Sequence, residues 1–294
     1  MIAGRAAAWW WGAAWACVMG AAVAWPTAAQ EGLAGRELGE VEGARVIVPT
    51  SFVSEGASEG DLVFHFHGGA RAVCGQIVAT DTDAVLVVFS PGGFSSAYRV
   101  PFEDADRFGR TLDGALALLK AEGVVAEDGG WGRVAVTSFS AGFGAVRELL
   151  KHERYVERID AIQMADSIYA GYVGDPADRV VNPTQMAGFA AFAERAAAGQ
   201  KAMVVTHSYI VPPGYAGTHE TADYLAEHVD LDFVAVDEEG PGGMRIDRRA
   251  TAGGLHLIGG AGDDAPAHML HLTRMGHWLP LLGLSAGSEP ADER

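Results

Sequence analysis

The sequence is poor in cysteine: its 294 residues include only Cys17 and Cys74. We expect Cys17 to be lost with the N-terminal segment described below, which leaves no pair for an intramolecular disulfide. The fold must then be held by its core, for which a content of 49% apolar residues is ample. Within that core, Cys74 is expected to act as a small buried apolar residue.

Positive charge is also scarce. The chain has 21 lysines and arginines against 38 aspartates and glutamates, for a formal net charge of -17. A field of this sign disfavours nucleic acid and anionic membrane surfaces as partners. We interpret the acidity as a source of solubility, and expect the partner of this chain to be a small molecule.

A long uncharged run occupies residues 6–25, after Arg5 and before the small residues at positions 26–29. This pattern is typical of an export signal, residues 1–29, cleaved after Ala29. We therefore expect a secreted or periplasmic protein with no stable membrane association after cleavage. The run is also about as long as a membrane span, so an uncleaved anchor through residues 6–25 is the alternative.

Beyond this segment, residues 30–43 are predicted to be a polar lead-in and residues 44–294 a single domain. Short runs rich in Val and Ile alternate there with amphipathic or alanine-rich stretches, as in a parallel sheet with helical crossovers. The predicted strands are residues 45–48, 62–67, 84–89, 133–137, 159–164, 202–206 and 255–259. The predicted helices are residues 104–121, 141–151, 183–198, 220–228 and 266–282, and residues 231–247 are predicted to form a further strand pair.

A serine lies between one predicted strand and the helix that follows it. Ser140 is flanked by small residues two positions before and after, Ser138 and Gly142. In a tight strand-turn-helix, larger side chains at those positions would collide with backbone, while the serine is pushed out at the helix N-terminus. The pattern predicts a nucleophile elbow with Ser140 as the nucleophile; the alternative is a helix cap.

An earlier strand, within residues 62–69, ends in His-Gly-Gly. Glycines let backbone amides approach a substrate carbonyl, so Gly68 or Gly69 is predicted to supply one oxyanion donor and Ala141 the other. His67 is expected to contact the substrate at the same loop. The alternative is a glycine turn after a buried strand, with its histidines as packing residues.

A serine hydroxyl also needs a base and an acid that orients the base. Asp166 follows the predicted strand at residues 159–164, at the edge where catalytic groups gather in parallel sheets, and is the predicted acid. A helix or turn cap is the alternative, and Glu220 and Asp223 are fallback acids. His207 ends another strand, as either a substrate contact or a polar strand end.

Three histidines follow the last predicted strand and compete for the role of base. His268 lies where the loop after that strand meets the final helix, and is the predicted base. His271 lies one turn deeper, and His277 follows a glycine from which a later helix would begin. The alternative for each is a polar position on an ordinary terminal helix.

The strand-His-Gly-Gly loop, the Ser-x-Ser-x-Gly elbow and the order Ser140, Asp166, His268 resemble an α/β-hydrolase over residues 44–284. The resemblance implies an α/β fold with a mostly parallel central sheet of about eight strands flanked by helices, and neither a metal nor an organic cofactor. Residues 90–98 and 211–221 are then loops at the catalytic edge, suited either to a binding rim or to tight turns that pack.

These predictions together indicate an exported serine hydrolase that cleaves carboxylic esters or related acyl compounds through an acyl-enzyme. A peptidase or an acyltransferase would use the same three residues. The alternative from another class is a hydrolase-fold protein without catalysis, serving in ligand binding or in interactions at the cell envelope.

Overall fold

The computed structural model describes residues 32–287, so the predicted export signal lies outside the described residues. Among residues 32–287, no helix has the length and apolar character needed to cross a bilayer. The strands are β1 Gly35–Val41, β2 Ala44–Pro49, β3 Ala57–Phe66, β4 Ala84–Phe89, β5 Val125–Phe139, β6 Ala161–Ala165, β7 Ala202–His207, β8 Val234–Glu239, β9 Arg245–Ala252 and β10 Leu255–Gly260. The α-helices are α1 Ala70–Ala79, α2 Ser95–Phe102, α3 Arg107–Ala121, α4 Phe143–Leu149, α5 Glu153–Arg158, α6 Pro183–Ala197, α7 Thr218–His228 and α8 Ala265–Thr273.

Within residues 32–287, all ten strands belong to one sheet, in the order β1-β2-β4-β3-β5-β6-β7-β10-β9-β8. Six of them, from β4 across to β10, run parallel to one another, and the two strands at each end are antiparallel. The mostly parallel sheet is therefore as predicted, with ten strands in place of about eight. Its six parallel strands bring their carboxyl ends to the same edge.

The sheet is buried on both faces, which explains the continuous apolar runs in its strands. In β4, Val85 and Val87 pack into one layer, whereas Leu86 and Val88 pack into the other. Helices α2 to α7 cover the first face, and α1, α8 and the C-terminal 3-10 helix cover the second. Cys74 lies fully buried in the second layer, as predicted.

Several elements differ from the sequence prediction. Strand β1 lies where a polar lead-in was predicted, because an edge strand with a mostly exposed surface carries no apolar alternation. Helix α2 was read as part of a loop, because it is short and contains Pro101. Helices α1 and α5 were also missed. The predicted strand pair is present as the hairpin of β8 and β9, and its edge strand β8 is exposed along most of its length.

The final helix predicted at residues 266–282 is broken into α8 and a 3-10 helix, Met275–Leu282. Gln76 of α1 enters the break, where it donates to the carbonyl of Thr273 and accepts from the amide of Gly276. Pro280 also lacks the amide that a continuous helix would need. The break directs the last segment across the sheet face, where Trp278 is buried.

Candidate active site

Three neighbouring parallel strands end in a residue with left-handed backbone. His67 follows β3 with φ 66°, Ser140 follows β5 with φ 46°, and Asp166 follows β6 with φ 46°. This conformation costs a residue other than glycine about 1–2 kcal/mol. Such strain concentrates at functional sites, and here it turns three predicted site residues out of adjacent strands at the same sheet edge.

The turn after β5 has the tightness expected of an elbow. Ser140 to Gly142 form a single 3-10 turn, and α4 begins at Phe143. A Cβ atom on Gly142 would lie 2.5 Å from the carbonyl oxygen of Phe66. Only glycine fits at this position, because backbone of β3 lies against it.

Ser138 stands at the position where this motif usually has glycine. It is fully buried, and its hydroxyl is 2.6 Å from the hydroxyl of Ser167, which in turn donates to the carbonyl of Ser140 at 2.9 Å. Since Ser167 has one hydroxyl proton, Ser138 donates in this chain of bonds. The serine pair thus ties the elbow to the segment that follows β6.

Asp166 is fully buried and accepts four hydrogen bonds. The amide and the hydroxyl of Ser208 donate at 2.8 and 2.7 Å, Thr218 donates through its hydroxyl, and His268 donates from Nδ1 at 2.6 Å. Burial opposes ionisation, but the hydrogen bond from His268, the nearby His271 and His268 rings and the hydrogen bond from Thr218 together outweigh it and hold the pKa of Asp166 well below its usual range. The carboxylate is therefore ionised whenever the protein is folded near neutral pH.

His268 lies in the first turns of α8, and its side chain is 19% exposed. Asp264 caps that helix by accepting from the amide of Ala267 at 2.9 Å. Because Nδ1 donates to the Asp166 carboxylate, the neutral ring carries its lone pair on Nε2. The ring also packs 4.5 Å, centre to centre, from Phe139, the residue before Ser140.

The other candidate bases lie elsewhere. His271 is buried, with Nδ1 2.8 Å from the hydroxyl of Thr206. His277 is exposed on the C-terminal 3-10 helix, beside Trp278. The structure thus joins His268, of the three, to the predicted acid.

The fallback acids make ion pairs away from His268. Glu220 pairs with Arg179 at 2.7 Å and accepts from the hydroxyl of Tyr172. Asp223 pairs with Arg248 at 2.6 Å. Both lie on α7, and neither carboxylate has a hydrogen bond to His268 within residues 32–287.

His207, which ends β7, is a fully buried residue held by Arg248. The Nε of Arg248 donates to Nε2 of His207 at 3.0 Å, so Nδ1 is the protonated nitrogen and donates to the carbonyl of Ser208. Burial, together with the charge of Arg248, lowers the pKa of His207 to about 3. His207 is accordingly a polar strand end that stays neutral.

The glycine loop after β3 is held by side chains on both sides. The amide of Gly68 donates to the Ser90 hydroxyl at 3.2 Å, and a cavity of about 280 Å³ lies against Gly68, Gly69 and Ser90. His67 lies with Nδ1 2.6 Å from the hydroxyl of Tyr98. Burial, and then the proximity of His268, lower the pKa of His67 to about 4.

His65 has the packing role that the sequence left open. It is fully buried in β3, with Nδ1 2.8 Å from the hydroxyl of Thr137 and Nε2 2.9 Å from the carbonyl of His67. A Cβ atom on Gly68 would lie 2.9 Å from the same Nε2. This histidine therefore shapes the glycine loop from beneath.

Sequence reasoning missed several polar residues of the site: Ser167, Tyr169, Ser208 and Thr218. The phenol of Tyr169 donates to the carbonyl of Asp166 at 3.3 Å; burial, and then the charge of Asp166, raise the pKa of this tyrosine well above its usual value. The sequence feature that could have identified Ser167, Tyr169 and Ser208 is their position, because they follow closely after the ends of β6 or β7. Thr218 offered no such signal, since it is brought in by the start of α7.

No family model matches this chain, and no curated protein is similar to it in sequence. Among solved structures it is similar to a feruloyl esterase module from Clostridium thermocellum, with 8% identity, TM-score 0.44 and coverage of 83% of this chain and 88% of that one. It is also similar to an enterobactin esterase from Shigella flexneri, with 15% identity, TM-score 0.45 and coverage of 81% of this chain and 56% of that one, so this chain spans little more than half of that protein. A third similar structure is a siderophore hydrolase from Aspergillus nidulans, with 11% identity, TM-score 0.43 and coverage of 85% of this chain and 91% of that one.

The chain has an α/β-hydrolase fold. Its own strand order carries this assignment: an antiparallel strand β2 next to β4, then β3, β5, β6, β7 and β10 in parallel. The elbow follows β5, and the hairpin of β8 and β9 is added beyond β10.

Proposed function

We propose that this protein is a serine hydrolase that cleaves carboxylic esters or related acyl compounds, with Ser140 as nucleophile, His268 as base and Asp166 as the acid that orients it. The observation that carries the proposal is the 2.6 Å hydrogen bond from Nδ1 of His268 to the buried carboxylate of Asp166. That bond leaves Nε2 as the acceptor for a hydroxyl proton, at the sheet edge where the elbow presents Ser140.

In the proposed reaction the Ser140 oxygen attacks the acyl carbon while Nε2 of His268 takes the hydroxyl proton. The amides of Ala141 and of Gly68 or Gly69 donate to the carbonyl oxygen as it becomes negative. Of the two glycines we favour Gly69, because the amide of Gly68 already donates to the Ser90 hydroxyl at 3.2 Å. When the tetrahedral intermediate collapses, the bond to the alcohol breaks. The alcohol leaves with the proton from His268, and an acyl-enzyme remains. Water then attacks by the same route, releases the acid and restores Ser140.

His67 is proposed to contact the bound substrate from the same loop, with its ring held by Tyr98. Because burial keeps its pKa near 4, the ring is neutral at pH 7 and offers a hydrogen bond without a charge. The acyl carbonyl group of the substrate is then bound by backbone amides and by the neutral ring of His67.

Covalent labelling tests the proposal. A fluorophosphonate probe should label the wild type at Ser140, and Ser140→Ala should lose both labelling and ester turnover while its circular dichroism is unchanged. Ser96→Ala removes an exposed hydroxyl on α2 and serves as the matched control, with labelling as in the wild type. A folded wild type that neither reacts with the probe nor turns over 4-nitrophenyl esters is a binding module instead.

We also propose that the protein is exported, on the strength of the uncharged run at residues 6–25 and the small residues before Gln30. The mature chain from the medium or the cell envelope should begin near Gln30 when its N-terminus is read by mass spectrometry. An intact Met1 in the membrane fraction would identify the anchored form instead.

A further inference from the structure

Arg147 lies on α4, the helix that follows the elbow. Its guanidinium carbon is 4.8 Å from the centre of the Phe143 ring, one turn earlier. Side chains on a helix lean towards its N-terminus, so the charged end of Arg147 returns towards the end of α4 at which Ser140 lies. Its Nη2 donates to the carbonyl of Tyr169.

This guanidinium is partly buried without a counter-ion. Within residues 32–287, no carboxylate oxygen lies within 4.0 Å of it, although most arginines of this acidic chain form ion pairs. Glu148, its neighbour in sequence, pairs with Lys151 at 2.6 Å instead. The Nε of Arg147 is buried without any hydrogen-bond partner. A buried cation with unused donors is costly, and an anion that docked against it would offset that cost.

A second arginine lies close to α4 but has its own counter-ion. The Cβ of Arg99, on α2, would lie 3.3 Å from a Cβ atom added to Gly144, and the Arg99 guanidinium pairs with Glu103. Burial lowers the pKa of Arg147 to about 10; the charge of Glu148 opposes this shift, and the charge of Arg99 adds to it. Arg147 therefore remains protonated at pH 7, in a chain of net charge -17.

Aromatic side chains connect Arg147 to the candidate site. The Phe143 ring under Arg147 lies 5.4 Å, centre to centre, from the ring of Tyr169, whose phenol donates to the carbonyl of Asp166 at 3.3 Å. Tyr215 lies 5.9 Å further along from Tyr169. From Ser140 to Phe143 the chain rises about 5 Å, which a substrate crosses in a few bonds.

We propose that Arg147 binds a carboxylate of the substrate, so that the preferred substrates are esters carrying a free carboxylate a few bonds from the ester group. This inference rests on the proposed function of Ser140. Of the five guanidinium N–H donors, one on Nη2 is used by Tyr169 and the one on Nε is buried, so the carboxylate is received by the remaining N–H groups of the two Nη atoms. The apolar part of the substrate lies along the rings of Phe143 and Tyr169.

Two pairs of esters test the proposal and locate the carboxylate. On the acyl side, the mono-4-nitrophenyl ester of adipic acid is compared with 4-nitrophenyl hexanoate; on the alcohol side, 4-acetoxybenzoate is compared with phenyl acetate. In at least one pair, Arg147→Met should lower kcat/KM for the charged ester about 10- to 100-fold more than for the neutral ester, the range of a hydrogen bond to a charged group. Arg147→Lys keeps the charge and should retain part of the preference.

Arg154→Met is the matched control, because this substitution removes the same charge elsewhere on the chain. The Arg154 guanidinium is also stacked on an aromatic ring, 4.7 Å from the centre of Tyr155. It should leave both ratios as in the wild type. If Arg147→Met lowers turnover of charged and neutral esters equally, Arg147 only supports the Tyr169 carbonyl and the inference is wrong. Fluorophosphonate labelling of the wild type at Ser140 then still stands, whereas its absence would remove the proposed function itself.

Discussion

Two histidines lie near the same edge of the sheet and have partners of opposite charge. His268 is partly exposed and donates to the ionised Asp166, whereas His207 is fully buried and accepts from Arg248. A carboxylate partner stabilises a protonated ring, and a guanidinium partner opposes it. The residue type alone therefore does not decide which histidine can exchange a proton; the charge beside it and its access to solvent do.

The same contrast extends to the hydrogen bonds around each ring. Both nitrogens of His207 are occupied, by Arg248 and by the carbonyl of Ser208. His268 commits Nδ1 to Asp166, and the proposed mechanism uses its Nε2. The imidazole of His207 thus completes the core at the end of β7, while that of His268 is the one that we propose transfers a proton between a hydroxyl and a leaving group.

The largest expected effect comes from removing each ring in turn. His268→Ala should lower kcat for 4-nitrophenyl esters about 1,000-fold or more, because Ser140 then lacks a base. His207→Gln should leave kcat within about threefold, since that ring exchanges no proton. His277→Ala, at an exposed position, is the control for a histidine change near the C-terminus. If His207→Gln or His277→Ala is the inactive folded variant, the assignment of the base is wrong.

A smaller effect is expected in the pH dependence of stability. The pKa of His207 is about 3 in the folded state and about 6.5 when unfolded. Its stabilising contribution is complete above pH 6.5 and falls as the pH drops below it, because only the unfolded chain takes up the proton. The loss is about 1.4 kcal/mol per pH unit, or about 2 kcal/mol at pH 5. His65, with a pKa of about 4, acts in the same sense.

Urea unfolding between pH 7 and 5 measures this effect. In His207→Gln the free energy of unfolding should fall less steeply as the pH drops, by roughly the contribution of one histidine. In His268→Ala the contribution of His207 should remain. Asp166 does not enter this window, since its lowered pKa confines its contribution to pH values near and below 4. A decline as steep in His207→Gln as in the wild type would show that this ring is protonated when folded, against its contact with Arg248.

How far the sequence could predict the site depends on where each residue is encoded. Ser140 and Asp166 each follow an apolar strand, and small neighbours mark the elbow, so local patterns were enough to nominate them. The hydrogen bond from Thr218 to Asp166 could not be predicted from the sequence, because Thr218 lies on a helix and is 52 residues away in the chain. Arg147 was not singled out either, since its distinguishing feature is a missing partner, and only the packed structure reveals that.

The fold shows the same division. Strands buried on both faces, such as β4, were predicted with their observed bounds because every position is apolar. The edge strand β1 was missed because it buries little, and helix α2 was missed because it is short and contains Pro101, although it buries Tyr98 and Phe102. The break after α8 also depends on a distant partner, the side chain of Gln76.

The exposed edge strand β8 bears on how this protein behaves in concentrated solution. An open edge offers unpaired amides and carbonyls as a template for a second copy, and Val234 at its start is 64% exposed. The strand ends in Asp237, Glu238 and Glu239; the first two pair with Arg245 and Arg249 of β9, and Glu239 leaves a negative charge at which two copies that met edge to edge would repel each other. Salt shortens the range of that repulsion to about 10 Å at 0.1 M, and acid removes it. We therefore expect the ionic strength and pH of the storage buffer to affect how far the protein can be concentrated before it aggregates.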